Sequence, residues 1–376
     1  MTLERWWRQV VSGRRRGLPA ALYRGLLSAA AVPYVLGLKA NLGLYERGLK
    51  GRTRPSIPVA SVGNITLGGT GKTTAARRLA RDLLARGVCP GIVLRGHGRH
   101  GAGDLLVSDG RNALADVAEV GDEAVMLART IDGALVAVGT RREPVIELLA
   151  EAGAEVAVLD DGFQYFRMCR DVDAVLVDAT VDLAAARVFP RGRLREPLTH
   201  LRRATHLVVT HADLAPRRQV ERTVELLHRY APDAPVMLAR HAATGLDLVG
   251  GQGEAPDLEL AGRRVVAMCA VGNPASFEGL LLQRGAEVVG RAAFPDHHHY
   301  RPEDWARVRE AVRESDAELI ATTEKDMVKL PPVPEDLPPV LAVAVDLEIT
   351  DNEEAWEALV ASVHDAARQD AAAEEA

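Results

Sequence analysis

Residues 63–73 read Gly-Asn-Ile-Thr-Leu-Gly-Gly-Thr-Gly-Lys-Thr. An apolar segment expected to be a strand, residues 57–62, precedes them. A stretch rich in Ala, Leu and Arg, expected to be a helix over 74–85, follows. Strand, glycine-rich turn, Lys-Thr and helix is the layout of a phosphate-binding loop. Glycines let backbone N–H groups crowd onto phosphate oxygens, and the helix N-terminus adds partial positive charge. Lys72 is placed to reach the β- and γ-phosphates, and the Thr73 hydroxyl to ligate Mg²⁺. The usual G-x-x-x-x-G-K-[ST] pattern wants glycine at position 66, where this chain has Thr66. Gly68 and Gly69 are expected to supply the missing flexibility. The plain alternative is a turn that only joins a strand to a helix.

Further residues could serve such a loop. Asp160-Asp161-Gly162 follows the apolar run Val156–Leu159. Carboxylates at a strand end, downstream of a phosphate loop, suit a metal site, although Asp-Gly is also a common turn pair. Gly121-Asp122-Glu123 opens an expected helix, where Asp122 is either an N-cap or a carboxylate aimed into a cleft. Asp296-His297-His298-His299 invites a metal assignment, but adjacent side chains diverge, so one catalytic histidine near an acid is the better expectation, with an exposed polar turn as the plain alternative. Arg195-Glu196 follows Arg191 and Arg193 in a loop, and Arg95 and Arg141 follow apolar runs; these arginines suit phosphate contacts or solvated loops.

These residues must be held by a frame. Apolar runs at 57–62, 91–94, 134–138, 156–159, 174–178 and 206–209 alternate with helical stretches at 74–85, 122–130, 144–152 and 217–230. That alternation predicts a parallel sheet covered on both faces, with ligands at the carboxyl ends of its strands. A Gly-, Asp- and Glu-rich stretch at 246–262 reads as a linker. A second, smaller alternation over 263–350 follows, then a closing helix and tail over 351–376. The chain has 376 residues and 4% aromatics. Its low aromatic content and small aliphatics suit an α/β enzyme.

The net charge of −6 hides an asymmetry. Residues 1–54 carry eleven Lys/Arg against two Glu, a balance of +9 that leaves −15 on the rest. A basic head on an acidic chain points to a local anionic partner, and a pI near 6.0 argues against a nucleic-acid surface. Trp6, Trp7 and Arg14-Arg15-Arg16 precede an apolar stretch interrupted by Pro33. Only fourteen residues separate Arg24 from Lys39, fewer than the about 20 apolar residues of a spanning helix. Residues 1–50 are therefore expected to lie on a membrane surface as an amphipathic segment, or else to pack on the core. Cys89, Cys169 and Cys269 are too dispersed for a zinc site or disulfide framework and read as reduced, cytosolic thiols.

Together these segments resemble the tetraacyldisaccharide 4′-kinase family of lipid A biosynthesis. The resemblance runs from the N-terminal segment to about residue 345. It is carried by Ser61-Val62-Gly63-Asn64 with Gly68 to Thr73, Arg95-Gly96-His97-Gly98-Arg99, Val120 to Glu123, Leu159 to Gln164, Pro190 to Pro197, Phe294 to His298, and Thr323-Glu324-Lys325-Asp326. Thr66 fits it too, because this family lacks the first glycine of the loop pattern. The resemblance implies a P-loop NTPase-like α/β domain with a second, smaller α/β domain and an N-terminal amphipathic membrane-surface helix. It implies ATP and Mg²⁺ as cofactors, and transfer to the 4′-hydroxyl of a tetraacylated glucosamine disaccharide 1-phosphate. The expected location is the cytoplasmic face of the inner membrane, against anionic lipid and with no obligate protein partner. Asp122 and His297 then form the pair that activates the hydroxyl, with Lys72 on the phosphates. Gly68, Gly69, Thr70, Gly71, Lys72, Thr73 and Thr74 contact the nucleotide. Thr73, Asp160 and Asp161 hold the metal, and Asn64, Arg95, Arg141, Arg195 and Glu196 line the cleft. Tyr165 departs from the family's usual His, Thr74 and Ala124 from proline, and Arg191 and Arg193 from smaller or apolar residues. The alternative is a soluble P-loop ATPase or GTPase switch. A GTPase wants Asn-Lys-x-Asp, to which Thr323-Glu324-Lys325-Asp326 is a near relative without the Asn. A non-catalytic relative is argued against by the intact Lys72 and carboxylates.

Overall fold

A computed structural model describes residues 3–11, 15–96, 99, 101–250, 259–272 and 274–374. Arg14, His97 and Gly98, and positions 251–258 of the expected linker, lie outside the described residues. The described strands in chain order are β1 (Val59–Asn64), β2 (Pro90–Leu94), β3 (Leu105–Asp109), β4 (Leu135–Val138), β5 (Val156–Asp160), β6 (Val172–Asp178), β7 (His206–Thr210), β8 (Val236–Leu248), β9 (Arg264–Cys269), β10 (Glu287–Ala293), β11 (Leu319–Thr323) and β12 (Val340–Asp351). The chain forms two compact units that interleave in sequence. One comprises residues 1–72, 161–240 and 349–376, the other residues 73–160 and 241–348.

In the first unit the strands run β8–β7–β6–β1, all parallel, with Ala60 opposite Val172, Ala174 opposite His206 and Leu207 opposite Val236. Every residue of β1 and β6 is buried, which is why both read as near-continuous apolar runs rather than alternating ones. Val175, Val177, Leu207 and Val209 pack with Ile65, Phe163 and Leu227. Each such side chain, fully buried, contributes about 1.5–3 kcal/mol.

The N-terminal residues of this unit form two helices, Leu3–Val11 and Leu18–Glu46. The first alternates apolar and charged positions at helical spacing. The second runs unbroken through Pro33 and is long and apolar enough, by length and composition, to cross a membrane. Leu18, Leu22, Leu26, Val32 and Leu36 recur at helical spacing and are all exposed, so they form one apolar stripe facing outward. Each helix has an anchoring hydrogen bond within this unit: in the second the Tyr34 hydroxyl donates to the Arg195 carbonyl at 2.9 Å, and in the first the Trp7 indole N–H donates to the Pro190 carbonyl at 2.9 Å.

The second unit contains the runs β5–β2–β4–β3 and β10–β9–β11–β12. All their pairings are parallel except β3 with β4, an antiparallel edge that the apolar-run reading does not anticipate. Residues 246–248, read from sequence as linker, continue β8, and the last helix extends over Glu353–Glu374. Arg77, on the Lys72–Ala85 helix, is only 2% exposed. Its guanidinium pairs with Glu324 at 2.8 Å and Asp346 at 2.9 Å and also donates to the Val345 carbonyl. A buried guanidinium needs such partners. The network ties the helix after the phosphate loop to the segment that follows β11.

Candidate active site

The phosphate loop leaves β1 at Asn64. Gly63 is required by packing, since a Cβ there would lie 2.8 Å from the Phe163 backbone nitrogen. Gly68 and Gly71 have φ of 121° and 79°, the left-handed region that glycine enters without penalty. Thr66 instead pairs in extended fashion with Leu194, so no glycine is needed there. The segment around Arg193 and Arg195 runs alongside the loop. Leu67 N–H donates to the Arg193 carbonyl at 2.7 Å, Arg195 N–H donates to the Ile65 carbonyl at 2.8 Å, and the Arg193 guanidinium donates to the Leu67 carbonyl. Asn64 donates to the Thr70 hydroxyl at 2.9 Å and accepts from Arg195 at 3.0 Å. Lys72 Nζ lies 3.8 Å from Asp161 Oδ1, which also accepts from Arg195.

The next residue in the chain, Thr73, donates its hydroxyl to Asp160 Oδ2 at 2.7 Å. Asp160 is the last residue of β5 and is buried. A hydroxyl and a carboxylate at one point are hard oxygen donors. They suit Mg²⁺, which keeps several waters and takes few protein ligands. Asp161, engaged by Lys72 and Arg195, is the less available of the two carboxylates.

A second cluster forms where Asp122 opens the Asp122–Thr130 helix. The N-cap is Gly121, at φ 94°, so Asp122 is not the cap that the helix-start pattern allows. Its side chain turns to other partners. Asp122 Oδ2 lies 3.3 Å from His297 Nδ1 and accepts from Lys329 Nζ at 2.9 Å, while Oδ1 accepts from the Glu123 N–H at 3.0 Å. Burial pushes this carboxyl up, but the His297 hydrogen bond and the Lys325 and Lys329 ammonium groups outweigh it and hold Asp122 well below the usual carboxylate range. The Asp122 hydrogen bond raises His297 above the ordinary imidazole value, against burial and Lys325. Both residues belong to one compact unit and are already adjacent, so no closure across a cleft is needed to bring them together.

The three histidines diverge. His297, at φ 58°, faces Asp122. His298 Nε2 lies 2.9 Å from Asp304 and its ring stacks on Phe294 with centroids 4.9 Å apart, a structural position. Among the described residues, no group of three or more His, Cys, Asp or Glu side chains is arranged to hold a metal.

The remaining expected site residues fall apart. Arg95 and Arg141 are exposed, and no described residue forms a hydrogen bond or ion pair with their side chains. Thr74 is half-buried on the first turn of its helix. Glu196 is fully buried rather than cleft-facing. Its carboxylate meets Gln164 at 2.8 Å, His200 at 2.7 Å and Arg203 at 3.0 Å, and braces the loop that carries Arg195. Lys325 and Lys329 are the residues that motif reading leaves without a role. Their only sequence signal is their place in and just after Thr323-Glu324-Lys325-Asp326.

A parallel α/β sheet, a strand-loop-helix phosphate motif and a carboxylate-histidine pair define a P-loop phosphotransferase. The family described as tetraacyldisaccharide-1-P 4′-kinase matches residues 23–364, and the chain belongs to that family. A tetraacyldisaccharide 4′-kinase of Anaeromyxobacter dehalogenans is 41% identical over 87% of this chain and 85% of its own length. One of Geobacter metallireducens is 35% identical over 88% and 95%. The crystal structure of the "apo" form of LpxK from Aquifex aeolicus in complex with ATP superposes with a TM-score of 0.72 at 27% identity, covering 91% of this chain and 99% of that one.

Proposed function

We propose that this kinase transfers the γ-phosphoryl group of ATP to the 4′-hydroxyl of a tetraacylated glucosamine disaccharide 1-phosphate, a precursor of lipid A. The observation that carries the mechanism is the 3.3 Å contact between His297 Nδ1 and Asp122 Oδ2, residues 175 apart in sequence. A sugar hydroxyl is a weak nucleophile, and a positioned base contributes about 10²–10⁴-fold. Lys72 and the loop N–H groups stabilise charge on the transferring group, an electrostatic role that needs no covalent step. Thr73 and Asp160 are the residues that would hold Mg²⁺, which neutralises charge on the β- and γ-phosphates when bound.

The N-terminal helices support a membrane-surface location on the cytoplasmic side, where ATP is available. The second helix is held at Tyr34, which donates to the Arg195 carbonyl, and its outward stripe from Leu18 to Leu36 is suited to dip into the interface. Trp6 and Tyr23, with ring centroids 4.4 Å apart, supply amphipathic rings suited to headgroup depth.

The test is to incubate full-length protein with Mg²⁺-ATP and the lipid disaccharide 1-phosphate in detergent micelles and follow the lipid by mass. A product heavier by one phosphoryl group is expected. ATP hydrolysis that leaves the lipid unchanged refutes the kinase reading in favour of an ATPase switch.

A further inference from the structure

The Asp122–His297 pair has company. β11 leads into a short helix, Glu324–Met327, that carries Lys325, and Lys329 lies one turn further on. Each lysine meets a different member of the pair. Lys329 touches Asp122 Oδ2, whereas Lys325 Nζ lies 3.5 Å from His297 Nε2. β9, β10 and β11 are parallel neighbours, so His297, after β10, and Lys325, after β11, leave the sheet at the same edge.

We propose that Lys325 is a positioning residue: its ammonium, facing Nε2, favours the Nδ1-protonated tautomer of His297 and opposes the imidazolium, and the acceptor hydroxyl takes the ammonium's place at Nε2 when its proton is transferred. The inference rests on Asp122 and His297 being the acid–base pair of the reaction. An ammonium carries donors only, so a ring nitrogen facing it presents a lone pair. The ring proton is then on Nδ1, directed at Asp122 Oδ2. Lys325 keeps its charge: burial lowers its pKa, but Glu123 at 3.0 Å, Asp122 and Asp296 outweigh burial and raise it.

The groups around His297 set the balance. Asp122 and Glu123 come from the helix that Asp122 opens. Asp296, from its own loop, has Oδ1 3.9 Å from Nε2, and His298 turns away to Asp304. Lys325 faces the ring directly, Lys329 acts through Asp122, and buried Asp326 lies 3.3 Å from Lys329. The carboxylates favour an imidazolium, and Lys325 with burial opposes it.

In the reaction the 4′-oxygen bonds to the γ-phosphorus as the bond from that phosphorus to the β,γ-bridging oxygen breaks. ADP departs with that electron pair, and the hydroxyl proton passes to Nε2. The imidazolium so formed is held by Asp122. Repulsion from Lys325 then favours release of the proton to solvent, which resets the base. His297 is 32% exposed along its side chain, so solvent reaches it.

The test compares pH profiles of kcat/KM for wild type, Lys325→Met and Lys325→Arg in full-length enzyme with micellar lipid. Removing the ammonium removes a positive charge that opposes His297 protonation. The acidic limb of Lys325→Met is therefore expected to move up by about one pH unit, with Lys325→Arg close to wild type. The tautomer is read directly in the wild-type protein by ¹⁵N NMR of labelled histidine, where a bare Nε2 and a protonated Nδ1 are expected. A limb moved by less than about 0.3 unit, with the rate reduced evenly at every pH, overturns the proposal, as does an Nε2-protonated ring in the wild type. His297→Gln separates the two layers. If that variant keeps its rate, the acid–base reading itself fails. If it is inactive while the Lys325→Met limb stays put, only the role of Lys325 fails. Should Lys325→Met not fold, Lys325→Gln and the wild-type NMR measurement decide.

Discussion

Substituting Asp122 by Asn and His297 by Gln, singly and together, measures whether the two act as one unit. Asn keeps the volume of the buried carboxyl, so it opens no cavity, and Lys329 retains Asp326 at 3.3 Å. The change removes the charge that meets His297 at 3.3 Å and Lys329 at 2.9 Å. It also weakens the hydrogen bond that raises His297, because an amide oxygen accepts less strongly than a carboxylate, and lets burial and Lys325 push that ring down. Loss of a positioned base costs about 10²–10⁴-fold, or roughly 3–5 kcal/mol of barrier. Independent contributions would multiply to about 10⁴–10⁸-fold in the double variant, whereas a single unit leaves it near the poorer single variant. The two outcomes differ by at least about two orders of magnitude. Single-turnover rates with saturating ATP and lipid isolate the chemical step from binding. Multiplying losses would refute the paired mechanism. An Asp122→Asn variant within about tenfold of wild type would remove the carboxylate from catalysis altogether.

Other perturbations probe separate parts of the reasoning. Lys72→Ala is expected to lower kcat by at least about tenfold, since one donor to the transferring phosphoryl group is typically worth ~2–4 kcal/mol; quenched-flow measurement of ADP formation checks it. Glu196→Gln leaves Arg203 without its buried counter-charge and is expected to cost roughly 3–5 kcal/mol in urea unfolding. Burial raises the Glu196 pKa, but His200, Arg203 and Gln164 outweigh it and the folded value is lowered. Its stabilisation is therefore full above the ordinary carboxylate value of 4.5 and fades as pH falls through the folded value, so the gap between wild type and variant should narrow in acid. Deleting residues 1–40 is expected to reduce co-sedimentation with anionic vesicles, with ATP binding changed less. Equal recovery of both forms would assign the N-terminal helices to packing alone.

What could be read from the sequence was what is contiguous in it. The phosphate loop is a short run whose spacing is its chemistry, and β5 ends at the Asp160 that its apolar pattern points to. The parallel strands were legible because burial on both faces leaves unbroken apolar runs, as in β1 and β6. β3 and β8 were not, because they are only partly buried and carry Ser, Asp, Thr and Gly, which read as turn or linker. Glu196 was misplaced because a carboxylate beside Arg in a loop looks alike whether it faces a ligand or its own Gln164, His200 and Arg203. Only tertiary structure separates the two.

The acid–base cluster shows why such a centre resists sequence reading even when each residue is visible. Asp122 fits a helix start, His297 fits a polar turn, and Lys325 and Lys329 draw no functional reading. None carries a local signature, and without the family resemblance Asp122 and His297 stay near their bland readings. Their chemistry comes from convergence: Asp122 precedes His297 by 175 residues and Lys329 by 207, and Lys325 follows Glu123 by 202. The parallel sheet makes the convergence. β10 and β11 deliver His297 and Lys325 to one edge, and the start of the Asp122–Thr130 helix brings Asp122 against them, so residues far apart in sequence meet there with their charges partly desolvated. In that setting each contact shifts its neighbours, as Asp122 does to His297 and the two lysines do to Asp122. The protonation state of the base is thus a property of four side chains on three segments, which is why substituting Lys325, itself outside the reacting pair, should be visible in the pH profile.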